Sequence, residues 1–267
     1  VVRFCRSVGY DGLADFKLKL AGNVNEGVPF VHRAVDDDDK AGDLIVKIVD
    51  NSVAALLRYR NAAAPAAMER AIAALAEAGR HGRRIEFYGV GNSGIVAMDA
   101  QHKFFRLGVS AAAVVDGHVQ VMSATMLRHG DCAVIISNSG RSRDLLDAAE
   151  IARRKGAHLI AVTASGSPLA QEVKQGSSHA ASAAAAGPPP PVHVLLAADH
   201  PEDADRYSPM VSRLLHLVIV DILTTGVALR LGSATLRPML QAIKRNLRER
   251  RYAAAPAPSS DSSSTTP

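Results

Sequence analysis

Two short stretches of the chain put glycine beside hydroxyl and amide side chains where a strand should end and a helix begin. The first, Gly89-Val90-Gly91-Asn92-Ser93-Gly94, closes the apolar run Ile85–Val90. The second, Ser137-Asn138-Ser139-Gly140-Arg141-Ser142, follows the run Cys132–Ile136. Glycine lets the backbone turn tightly and approach a ligand closely. A helix start leaves N–H groups free and carries a partial positive charge. Hydroxyls add donors that rotate to suit. Two such turns meeting at one point would wrap the oxygens of an anion, and a phosphate monoester suits them without a metal. The expected lining is Gly91, Asn92, Ser93, Ser137, Asn138, Ser139, Gly140 and Ser142. No metal and no cofactor are expected.

Each turn alone has a plainer explanation. Gly-x-Gly after a strand is often only a tight turn. It could also open a dinucleotide site, but Asp116, 25 residues beyond Gly91, fits the acidic position of that fingerprint loosely. Ser-x-Ser-Gly could be helix capping, with Ser142 covering the first turn above Arg143 and Asp144. Their occurrence together, at equivalent ends of parallel strands, favours phosphate.

The elements that must hold these turns follow from the apolar pattern. Runs at Ile85–Val90, Ala111–Val115, Cys132–Ile136, His158–Thr163 and Val192–Ala197 alternate with helical stretches to Leu107, over Val119–Leu127 and over Arg143–Lys155. Short apolar runs joined by crossover helices predict a mostly parallel five-stranded sheet covered on both faces. The fold class expected is therefore α/β, a three-layer α/β/α sandwich that binds ligands at the carboxyl ends of its strands. Helical patterns from Asp43 to Arg60 and after Pro65 read as linker helices, preceded by the acidic run Asp36–Asp39 as a solvated linker. Residues 175–191, Ala-rich with four prolines, read as a flexible insertion, and 253–267 as a disordered tail. The stretch Ser212–Leu231 reads as a buried core or interface helix, no apolar run being judged long enough to span a bilayer. The domain boundaries expected are 1–27, 28–80, 81–252 and 253–267.

Composition narrows the class. With 267 residues, 48% apolar and 21% charged, the chain is that of a globular protein. Two cysteines, Cys5 and Cys132, cannot make a disulfide framework or a four-ligand zinc site, and fit a cytoplasmic setting. Lys and Arg exceed Asp and Glu by 31 to 26. Residues 237–251 hold six of the basic residues against Glu249 alone, which suits the C-terminal end of an amphipathic helix. The chain begins at Val1 inside a segment that itself reads as structured, which predicts further sequence upstream.

The stretches GVGNSGIVAMDAQHKFFRLG and VIISNSGRSRDLLDAAEIARRKGAHLIAVTASGSPLA resemble the sugar isomerase (SIS) domain. The opening VVRFCRSVGYDGLADFKLKLAG resembles the end of the helix-turn-helix domain of RpiR-type bacterial transcription regulators. HKFFR, SNSGRS and HPEDADRYSPMVSRLLHLVIVDILTTGVALR extend the likeness to about Arg251, leaving out the Ala/Pro-rich insertion and the tail. The resemblance implies a phosphosugar-responsive repressor of glucose-catabolism genes of the Entner–Doudoroff route, which releases DNA on binding 2-keto-3-deoxy-6-phosphogluconate. It implies effector binding by Ser93 and Ser137, with Ser139 and Ser142 completing the second turn, and DNA reading by Arg3 and Arg6. The partners implied are a sugar phosphate, DNA and a second copy of the chain in a homodimer or higher homo-oligomer, with no membrane. Only the end of the helix-turn-helix is present, so DNA binding by this chain is expected to be weak or absent.

The competing expectation is a catalytic aldose–ketose isomerase. That chemistry needs a base between C1 and C2 and a group that assists ring opening. Glu202 and Asp203 after the fifth strand, and His102 and His118 near the first two strand ends, are the candidates. None forms a spaced acid–base pair, so sensing is the first expectation and isomerisation the second. A third is a dimerisation module whose serine turns are only caps.

Overall fold

A computed structural model describes residues 35–182, 189–200 and 211–248. The segment carrying Arg3, Cys5 and Arg6, the carboxylates Glu202 and Asp203, and the tail from residue 253 lie outside the described residues.

The described residues form α1 (Ala41–Ala62), α2 (Pro65–Arg80), β1 (Ile85–Tyr88), α3 (Asn92–Phe105), β2 (Ala111–Val114), α4 (Gly117–Thr125), β3 (Cys132–Ile136), α5 (Arg143–Arg154), β4 (His158–Thr163), α6 (Pro168–Ser182), β5 (His193–Ala197), α7 (Val211–Leu231) and α8 (Ser233–Arg248). The five strands stand in the order β2-β1-β3-β4-β5 and every pair is parallel. The expected three-layer α/β sandwich is the architecture found.

Strand side chains alternate between the two faces, and this sorts the helices. Ile85, Phe87, Cys132, Val134, Ile136, Ile160, Val162, Val194 and Leu196 face one core, shared with α2, α3 and α7. Tyr88, Ala133, Ile135, Leu159 and Ala161 face the other, shared with α4, α5 and α6. Each fully buried Leu or Ile contributes roughly 1.5–3 kcal/mol. Phe87 and Phe104 join β1 to α3 with ring centroids 5.0 Å apart at 59°, a favourable tilted geometry.

Four features differ from the sequence reading. The second linker helix, α2, belongs to the core: Ala71, Leu75 and Ala76 are fully buried beneath it. The acidic run is exposed at Asp36, Asp37 and Asp38 but is not an extended linker, because Lys47 pairs with Asp36 at 2.9 Å and Asp39 at 2.7 Å and folds the run back on α1. The expected insertion is helical as far as Ser182, since alanine is the strongest helix former and Pro188 to Pro191 lie beyond. Helix α7, at 21 residues, is long and apolar enough by composition to cross a membrane. Here Leu215, Ile219, Leu223 and Val227, four apart, are buried on the core, and Asp221 pairs with Lys103 at 2.5 Å.

Three histidines are packed inside this frame in neutral form. Burial, reinforced by His158 and Arg153, lowers His193 to about 4. Burial, with His200 nearby, lowers His216 to about 4. Burial also lowers His158, whose Nδ1 accepts the Val192 N–H at 2.8 Å. At His193 and His216 the unfolded chain takes up a proton near pH 6.5 and the folded chain only near 4, so between them the unfolded state holds more protons. Stability is therefore expected to be flat above about pH 6.5 and to fall as pH drops towards 5, above the main carboxylate range. Urea unfolding at pH 7, 6 and 5 checks this. The double variant His193→Asn, His216→Asn should give a flatter profile, and an unchanged slope would refute the assignment.

Candidate functional site

The strand order reverses between β1 and β3. The chain leaves β1 through α3 on one face of the sheet and leaves β3 through α5 on the other. At such a switch point the two outgoing loops part and open a crevice at the carboxyl edge. Both serine turns stand there: Tyr88 of β1 is in register with Ile135 of β3, one turn following four residues after Ile85, the other beginning at Ser137.

The first turn is built by glycine where nothing else fits. A Cβ on Gly89 would lie 2.5 Å from the Ser93 carbonyl oxygen, and Gly91 sits at φ +55 with open space before it. The turn closes through Ser93 N–H to Val90 O at 3.1 Å and Ile95 N–H to Gly91 O at 3.3 Å. The Val90 and Gly91 N–H groups donate to nothing among the described residues. The half-buried Ser93 hydroxyl is likewise uncommitted among them.

In the second turn the hydroxyls divide into two kinds. Ser137 is buried, and its Oγ accepts the Gly140 N–H at 3.0 Å. The exposed Ser139 Oγ accepts the Arg141 N–H at 3.4 Å. Both keep a hydroxyl proton to donate. Ser142 takes the cap position of α5, but its side chain makes no capping bond. The plainer explanation of Ser142 as a cap is thus not what the structure adopts, and its hydroxyl stays available with the first-turn N–H groups of α5. Arg141 and Arg143 are exposed beside it, and their charge favours an anion. Gly140, at φ +59, is wedged so that a Cβ would meet Ser167 Oγ at 2.5 Å and Thr163 Oγ1 at 2.6 Å. Those two hydroxyls bond each other at 3.1 Å, and Leu169 N–H reaches Gly140 O at 3.1 Å. Asn92 and Asn138 each take part in further interactions of their own.

Other candidates are placed elsewhere or in other roles. Asp116 caps α4 by accepting the Val119 N–H at 2.9 Å, a structural duty and not that of a dinucleotide-binding acid. His102 is exposed on α3, and His118 is exposed in the first turn of α4. Cys132 is wholly buried, and burial pushes its thiol far up, as expected for a core residue. Two hollows of about 560 and 460 Å³ lie against α7, and no residue of the serine turns lines either. Among the described residues no cluster of three His, Cys, Asp or Glu could hold a metal ion.

Sequence reasoning missed the support beneath the turns. Gln120, on α4, is fully buried, and its Nε2 donates to Gly89 O at 3.0 Å and to Val114 O at 2.8 Å. Glu86, in the middle of β1, is buried and accepts bonds from Arg84, from the Tyr88 hydroxyl and from Ser123 Oγ, the last at 2.6 Å. A polar residue flanked on both sides by apolar ones, Ile85 and Phe87 or Val119 and Val121, was the available signal in both cases.

The SIS domain family matches residues 80–186. Among curated proteins, the HTH-type transcriptional regulator HexR of Escherichia coli is 38% identical over 252 residues, covering 94% of this chain and 79% of that protein. The chain belongs to the HexR family of RpiR-type regulators. The bifunctional protein glk of Burkholderia thailandensis is 42% identical over 233 residues, so this HexR-family chain spans only 33% of that relative's length. Among solved structures, Vibrio vulnificus NanR complexed with ManNAc-6P has a TM-score of 0.65 at 22% identity, covering 95% of this chain and 81% of NanR. The phosphoheptose isomerase GmhA of Neisseria gonorrhoeae has a TM-score of 0.56 at 19% identity, covering 70% of this chain and 98% of GmhA. The fold of this HexR-family chain is thus shared by the NanR protein and by a phosphoheptose isomerase.

The wedge at Gly140 makes a measurable demand. Gly140→Ala adds a Cβ at positive φ into the Thr163–Ser167 pair and is expected to cost about 2–4 kcal/mol, read as a lower urea midpoint. A change under about 0.5 kcal/mol would show that the wedge is slack.

Proposed function

We propose that this chain is the sensing part of a cytoplasmic repressor of glucose-catabolism genes of the Entner–Doudoroff route. The effector is a phosphosugar acid, 2-keto-3-deoxy-6-phosphogluconate, and its binding releases DNA. One observation carries the reading: two turns flank the strand-order reversal and offer uncommitted N–H and hydroxyl donors in a chain of the HexR family. Ser93 and Ser142 supply hydroxyls from opposite sides, Ser137 lies at the floor, and Gly91 leaves room for the phosphate. Ser139, Gly140, Asn92 and Asn138 shape the rim. We assign DNA contact in the whole protein to Arg3 and Arg6.

Sensing stands before isomerisation because relatives matched over most of their length are regulators. The exposed His102 and His118 also stand on different helices, and the buried Glu86 is occupied by three donors.

Thermal shift in the presence of a panel of sugar phosphates tests the reading, since a ligand bound only by the folded state raises Tm with concentration. The expected result is a rise with 2-keto-3-deoxy-6-phosphogluconate. Ser93→Ala and Ser137→Ala should each weaken it about tenfold or more, as for hydrogen bonds to a charged group. No shift with any sugar phosphate would sink the sensor reading.

Self-association is assigned to the β2 edge, where Ile95, Met98, Val119, Met122 and Met126 stand 47–65% exposed on and beside α3 and α4. A second copy would cover this apolar face through an isologous contact. Sedimentation should find a dimer for the wild type and a monomer for Met122→Glu. A dimer that survives the substitution would move the interface elsewhere.

A further inference from the structure

The first turn offers its N–H groups only while its peptide planes hold one orientation. A trans peptide points its carbonyl and its N–H in opposite directions, and the described residues contain no cis bond. The Gly89 carbonyl is fastened to Gln120 Nε2 at 3.0 Å, while the same nitrogen holds Val114 O at 2.8 Å. Both contacts are to carbonyl oxygens, so the side-chain amide can be oriented only one way. With Gly89 O tied to α4, the Val90 N–H points away from Gln120, and this N–H and that of Gly91 are uncommitted among the described residues. Gly91 faces open space.

We propose that Gln120 is a positioning residue for the anion cradle, one that holds the Gly89–Val90 peptide so that N–H groups rather than a carbonyl face the phosphate. The inference rests on the phosphosugar reading and adds to it the device that sets the polarity of the first turn. Gln120 is fully buried and touches no ligand. Its effect passes through one peptide plane. Without the side-chain amide, Gly89 O is a buried acceptor with no donor, and such a group rotates to find one. A flip of that peptide would turn an oxygen towards the anion and withdraw the Val90 N–H. The two carbonyls held by Gln120 end neighbouring strands, β1 and β2, so the same amide also sets the height of the turn above the sheet.

The test titrates 2-keto-3-deoxy-6-phosphogluconate and, separately, inorganic phosphate into the full chain as wild type, Gln120→Met, Gln120→Glu and Ala124→Gly. Ala124→Gly loosens the same buried helix without touching Gly89 and controls for lost stability. The expected result is that Gln120→Met weakens both ligands by about tenfold, while Ala124→Gly changes them by about twofold or less. In Gln120→Glu, a carboxylate faces two carbonyls at high pH, whereas the protonated acid donates to one of them. The ratio of its Kd to that of the wild type should therefore shrink as pH falls. In the wild type, the backbone amide resonances of Val90 and Gly91 should move when phosphate is added. The inference is overturned if those resonances stay in place, if the Gln120 variants bind as the wild type does, if Ala124→Gly weakens binding as much as Gln120→Met, or if the Gln120→Glu ratio ignores pH. A wild type that binds neither ligand overturns the phosphosugar reading and this inference with it. A wild type that binds while the Gln120 variants bind equally well removes the inference alone.

Discussion

The structure depends on one topological constraint: the sheet grows from β1 in two directions. The chain first places β2 on one side and then returns past β1 to lay β3, β4 and β5 on the other. The helices following β1 and β3 must then lie on opposite faces, since each crossover packs on the face its handedness allows. That separation keeps the gap above β1 and β3 free of a helix, while the starts of α3 and α5 aim their unpaired N–H groups into it. An anion held between such helix starts would need no buried charge to attract it. The turns need glycine at Gly89 and Gly140, where side chains would strike backbone or neighbouring hydroxyls.

Much of this was legible from residue types. The five strands are short apolar runs between glycines, and their length and spacing admit little but a parallel sheet with crossover helices. The serine turns were legible for the same reason, since they interrupt apolar runs abruptly. What could not be read was the division of labour inside the second turn. Ser137, Ser139 and Ser142 are identical in the sequence, yet two accept backbone N–H groups and the third does not. That difference comes from backbone angles around Gly140, which are fixed by contact with Thr163 and Ser167 on the next strand and loop. Periodicity was also silent on α2, because Ala71, Leu75 and Ala78 form a face that suits a linker or a core equally well. Only the partners decide, and those partners are α7 and the sheet.

The polar residues inside β1 and α4 show why apolar pattern alone stops short of a site. Glu86 occupies a strand position that should be apolar, and an isolated buried carboxylate would be expelled from such a place. It is retained because Arg84, Tyr88 and Ser123 each donate to it. The cost falls on Tyr88, whose hydroxyl is pushed far up by burial and by its bond to Glu86, so it keeps its proton and donates it to the carboxylate. Gln120 is a neutral version of the same solution, serving two carbonyls that the parallel ladder leaves unpaired where β1 and β2 end. Both residues stand on the α4 side of the sheet, and together they make the base of the first turn a hydrogen-bonded floor rather than an apolar one. Such a floor resists sliding, because any shift breaks several bonds at once.

A sensor must also carry its state out of the crevice, and the packing limits the route. Helix α3, which begins in the first glycine turn, shares its buried face with α7 through Val96, Phe104, Leu215 and Ile219. Lys103 is tied to Asp221, and Arg230 farther along α7 is tied to Glu69 of α2. Helix α1 also packs on α7. Contiguity is not coupling, and a ligand moves this chain of helices only by binding one arrangement better than another. The geometry does say where such a preference could act. Helices α3 and α7 meet through close-packed side chains that transmit a rigid shift, whereas the outer face of α1 leaves Ile45, Val46 and Val49 exposed. Helix α1, which packs on α7, is also the described helix nearest in the chain to the segment that carries Arg3 and Arg6.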